Sequence, residues 1–67
     1  MNFNGEELML MMLYNSGTRL GLMQELRLMQ CYLMPDDIAL RELSEGVVEK
    51  LKLMTDAQFA EVEFPMN

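Results

Sequence analysis

The chain holds no histidine and a single cysteine, Cys31. That removes the commonest general base, the usual zinc ligand sets and the Ser-His and Cys-His nucleophile pairs, and a lone thiol closes no internal disulfide. An enzyme would have to work with carboxylates alone: Glu6 with Glu7, Asp36 with Asp37, or Glu42, Glu45 and Glu49. The first two pairs fall where helices should begin, and acids there complement the helix dipole by ~0.3–1 kcal/mol each. The third set spreads along the polar side of a helix. Helix chemistry therefore explains each set better than catalysis does. No Gly-rich phosphate loop occurs, and Gly17 reads as a helix stop. No catalytic, cofactor-binding or metal-binding residue is expected, and no small-molecule substrate is evident.

The elements that carry these residues read as helices throughout, because no stretch alternates with period two for long enough to make a strand. The run Leu8-Met9-Leu10-Met11-Met12-Leu13-Tyr14 is apolar on every side of a helix, and such a helix is wrapped by neighbours or lies against a partner. Asn4 with Glu7 forms a capping box, and Phe3 with Leu8 a hydrophobic staple. Asn15-Ser16-Gly17 supplies the stop, Gly17 being the left-handed residue. The first helix is expected at about 5–14, as the centre of a small bundle. Leu10→Asp or Leu13→Asp should then unfold the protein.

Thr18 caps a second helix at about 18–33, with Leu22, Leu26, Met29 and Leu33 in one sector and Leu20, Leu28 and Cys31 on the opposite side. Pro35 suits a first helical position, with Asp36 and Asp37 behind it, so a third helix is expected at about 36–53. Its stripe is Leu40, Leu43, Val47, Leu51 and Met54; Ser44 and Gly46 are its weak points, and a break there is the competing reading. Thr55 with Gln58 makes a second capping box for a short helix at about 56–62, turning Phe59 and Val62 inward. The expectation is one all-α domain over 1–67, a bundle of three to four helices with frayed residues 1–2 and 64–67.

In a chain of 67 residues, apolar burial and the ordering entropy nearly cancel, so a partner or a second copy would add needed stability. The net charge of −6 repels phosphate, which disfavours direct nucleic-acid binding. Arg19 and Arg27 stand apart and read as surface or ion-pair residues. The apolar run follows two acids and is too short to span a membrane or to read as a signal peptide. The many methionines resemble the adaptable surface of partner-binding proteins, and Tyr14 and Tyr32 should pack at the core's edge with hydroxyls outward. Met9, Met12, Leu20, Leu28 and Cys31 are the candidate partner-binding residues.

Taken together, Phe3, Glu7, Leu10-Met11, Tyr14, Gly17, Arg19, Leu22, Leu26, Met29, Tyr32-Leu33, Asp37, Leu43, Lys50-Leu51, Met54-Thr55-Asp56-Ala57 and Phe59 resemble the putative transposon-transfer assisting protein family. The resemblance covers residues 3 to 64. It implies a bacterial cytoplasmic accessory protein of a conjugative mobile element, and it carries no catalytic or binding residues. The expected function is protein-protein interaction in transposon transfer or its regulation, with a protein partner or homodimer, or as an acidic DNA mimic. A helix-turn-helix regulator formed by helices 2 and 3 is the alternative, and an enzyme the least favoured reading.

Overall fold

Local capping chemistry sets three of the four helix starts. A computed structural model of the chain describes residues 3–15 and 17–64. Among them lie α1 (Gly5–Tyr14), α2 (Arg19–Cys31), α3 (Ile38–Leu53) and α4 (Asp56–Ala60), with no strand. The Asn4 side chain accepts from the Glu7 backbone N–H at 2.8 Å while Glu7 accepts from the Asn4 N–H at 2.9 Å, closing the expected box. Thr18 accepts from the Gly21 N–H, and Thr55 and Gln58 complete the second box. Gly17 has φ +96°, the left-handed conformation a glycine reaches without strain.

The middle boundaries shift from the expected ones for an identifiable reason. Pro35 and Asp36 are the central residues of a turn closed by the Asp37 N–H on the Met34 carbonyl at 3.0 Å, and proline's fixed φ suits that position as well as a helix start. The Asp37 carboxylate reaches back to the Met34 N–H, so α3 begins at Ile38 and not at 36. At the other side, the Tyr32 and Leu33 N–H groups bond to Met29 and Gln30 carbonyls. These three-residue steps tighten the last turn and end α2 at Cys31, two residues early. The same kind of step, Glu61 to Gln58 and Val62 to Phe59, ends α4 at Ala60 and not at 62.

The fully buried core is Leu10, Met11, Leu22, Leu26, Val47, Val48, Leu51 and Met54. α1, α2 and α3 all pack against one another. Arg19 meets Leu51 and Gln30 meets Ser44, so α2 runs antiparallel along α3. Phe59, Val62 and Phe64 pack half-buried against the core from the C-terminal side. The rest of the expected frayed ends, residues 1–2 and 65–67, lies outside the described residues. α3 is continuous through Ser44 and Gly46. Ser44 is fully buried, donates to the Arg41 carbonyl and accepts from the Gln30 amide. Its hydroxyl is thus spent on holding two helices together.

Two expectations need correction. Leu13 is 79% exposed, because only the side of α1 that carries Glu7, Leu10 and Met11 faces α2 and α3. Leu40, placed on the α3 stripe, is also exposed, since it lies in the first turn beyond the reach of the core. Leu10→Asp should accordingly unfold the protein, burying a charge without a partner. Leu13→Asp should cost no more than about 1 kcal/mol, mostly from an acid near a helix C-terminus; melting followed by far-UV circular dichroism checks both. A Cβ at Gly46 would meet only the Glu7 Oε2 at 3.6 Å, an ordinary contact. Gly46→Ala should therefore stabilise the fold by about 0.5–1 kcal/mol through helix propensity, read as a raised urea midpoint.

Candidate functional site

α1 can bury one side only, and its other side stays open. Met9, Met12 and Leu13 stand at successive i, i+3 and i+4 positions there and are all exposed, Met9 at 63%. α2 repeats the arrangement: Leu22 and Leu26 are buried, while Leu20, Leu28 and Cys31 on the far side are exposed. Met34, Ile38, Leu40 and Leu53 add further uncovered apolar surface. Scattered exposed leucines are ordinary, whereas grooves lined by several of them are not.

The most apolar groove, and the main one in that sense alone, lies where the end of α1 meets the second half of α2 and the start of α3. Tyr14, Glu25, Leu28, Met29, Tyr32, Leu33 and Leu40 line it, around about 500 Å³. Glu25, Leu28, Met29 and Tyr32 follow the i, i+3, i+4, i+7 spacing, so they form one ridge along α2 and just past its end. Tyr32 is 83% exposed. The early end of α2 leaves it outside the helix with its ring, and not only its hydroxyl, in solvent. A second groove, lined by Leu20, Arg19, Asp56, Phe59, Val62 and Phe64 among others, lies beside α4.

The five residues singled out from sequence are all exposed but are not gathered. Leu28 lies in the main groove, with Cys31 one turn further along α2 and outside its lining. Leu20 lies in the groove beside α4, and Met9 and Met12 occupy the outer side of α1. Sequence reasoning missed Tyr32 and Leu40 as surface, and the signal available was the apolar run Tyr32-Leu33-Met34 ahead of a Pro-Asp-Asp turn. The α2–α3 pair differs from a helix-turn-helix: residues 32–37 connect two helices lying side by side, whereas that motif uses a turn of three or four residues between steeply crossed helices. Among the described residues no group of three carboxylate or thiol side chains is placed to hold a metal. No helix there is long and apolar enough to cross a membrane.

Charged side chains tie the helices under these faces. The Arg19 Nε donates to the Asp56 Oδ1 at 2.8 Å and its Nη1 to the Leu51 carbonyl at 2.9 Å, joining α2, the end of α3 and the first turn of α4. The Lys50 Nζ donates to the Glu7 Oε1 at 2.7 Å and lies 5.5 Å from the centre of the Phe3 ring. Burial alone would raise the Glu7 carboxyl. The Lys50 hydrogen bond, the Asn4 N–H and the Lys50 charge outweigh it and hold the group below the usual carboxylate range. A carboxylate shifted down on folding adds stability that is complete above its unfolded value, near ~4.3, and is lost as the pH falls through the folded value. Lys50→Met should therefore cost about 1–3 kcal/mol at neutral pH by leaving a buried carboxylate without its counter-charge, although the Asn4 N–H still donates to it. Urea melts should show variant and parent converging below about pH 4.

Comparison with known proteins comes down to a single kind of likeness. No curated protein and no solved structure matches the chain. A family model described as a putative transposon-transfer assisting protein matches residues 3–65, from the staple residue Phe3 past the half-buried Phe64. The matched range spans all four helices, so it covers nearly the whole chain and not a fragment. The chain belongs to the putative transposon-transfer assisting protein family.

Proposed function

We propose that this protein assists the transfer of a conjugative element in the bacterial cytoplasm by binding another protein, without catalysing a reaction itself. It acts as one small helical unit. The observation that carries the reading is the groove lined by Tyr14, Leu28, Met29, Tyr32, Leu33 and Leu40, which presents flexible thioether, leucine and tyrosine side chains suited to a protein surface. Cys31 lies one turn further along α2, while Leu20, Met9 and Met12 are exposed on other faces and would serve separate contacts. The family's description as an assisting protein supports a role played through others, and the charge of −6 favours a protein partner over nucleic acid.

Transfer frequency in cells whose element lacks the gene gives the test. Complementation with the natural chain should restore transfer, and Leu28→Ser/Tyr32→Ser should leave it reduced at least tenfold while keeping parental helicity, because both side chains are exposed. Full complementation by that double variant would contradict the reading. So would a strictly monomeric chain that recovers no protein from transfer-active cells. Tight, salt-sensitive binding to duplex DNA would replace it with direct nucleic-acid recognition.

A further inference from the structure

Resting on the interaction reading, we propose that the main groove seats an amphipathic helix of the partner, one that carries a leucine-type stripe flanked by lysine or arginine. Shape gives the first reason. The Glu25, Leu28, Met29 and Tyr32 ridge runs along α2, and Tyr14 of α1 and Leu40 of α3 line the open groove with it, the kind of elongated apolar surface that receives the apolar face of a helix.

Charge gives the second reason. Apart from the two tyrosines, Glu25 is the ionisable side chain of the lining. The loop that leads on from Tyr32 carries Asp36 and Asp37. Of the five cationic residues in the chain, Arg19 is engaged with Asp56 and Lys50 with Glu7. Arg27 and Lys52 line a separate crevice between α2 and α3 with Glu45 and Glu49. Only Arg41, half-buried beside Leu40, stands near the groove. An apolar groove with Glu25 in its lining and Asp36 and Asp37 in the loop beyond Tyr32, on a chain of net charge −6, favours a basic amphipathic helix over an acidic one. A second copy of the chain, itself at −6, would bring a like net charge to this face.

An 18-residue helical peptide of leucine and lysine in amphipathic pattern, titrated calorimetrically into the full chain beside its leucine-glutamate counterpart, tests this. The expected result is saturable one-to-one binding of the lysine peptide and none of the glutamate peptide. Leu28→Ser/Tyr32→Ser and, separately, Glu25→Lys should each weaken binding at least tenfold, and Leu53→Ser, exposed and away from this groove, should leave it unchanged. Undiminished binding by the groove variants would mean adsorption to an acidic surface and would overturn the proposal. Absence of lysine-peptide binding, or preference for the glutamate peptide, would overturn it as well. So would self-association in sedimentation that Leu28→Ser/Tyr32→Ser abolishes, which would make a second copy the occupant. If the groove variants impair element transfer while any of these results holds, the interaction reading stands and only the basic-helix partner falls.

Discussion

With 67 residues, the chain has one layer of helix to set against α1, and that constraint shapes the rest. α2 and α3 receive Leu10 and Met11, and among the described residues Met9, Met12 and Leu13 stay exposed. The same shortage recurs on α2, where Leu22 and Leu26 exhaust the available core and Leu20 and Leu28 face outward. Surface-to-volume scaling makes this general for small domains. Here the uncovered residues are large, adaptable and partly assembled into grooves, so a packing limit becomes an available surface.

α3 is the element to which the others are fastened, each by its own polar tie. Lys50 holds Glu7 of α1, Ser44 holds Gln30 of α2, and the Leu51 carbonyl takes Arg19, which also pairs with Asp56 of α4. The apolar core between these ties consists of leucine, valine and methionine, side chains that tolerate more than one arrangement. Directional contacts in the middle and at the C-terminal end of α3 favour one register over others that the core would accept. Glu7 shows the economy of the design: one carboxylate closes the α1 capping box and anchors α1 to α3.

What was legible in the sequence was local. Asn4, Thr18, Gly17 and Thr55 act within three residues of themselves, so their caps and stops could be read directly. The stripes of α2 and α3 located most of the core by periodicity. The Glu7–Lys50 contact spans 43 positions, and nothing in the pattern around either residue announces it. Leu13 and Leu40 misled for a related reason: an apolar residue at helical spacing is buried only if another element reaches it, which depends on how far each neighbour extends. Pro35 fitted two roles equally well by its own φ, and the Asp37 carboxylate decided between them. Among the candidate site residues, type and exposure could be anticipated from the second apolar side of each helix. Their grouping could not, because it depends on where α2 stops and how α1 crosses the bundle.

Family membership points to an assisting role in transposon transfer, and the surface proposed for that role is the groove at Tyr32. A photo-crosslinking amino acid placed at Tyr32, in cells carrying an active element, tests that claim most directly, with the same substitution at Lys52 on the opposite α2–α3 crevice as the reference. The account predicts a discrete protein adduct from position 32 during transfer and none from position 52. No adduct at position 32, or the same adducts from both, would contradict it.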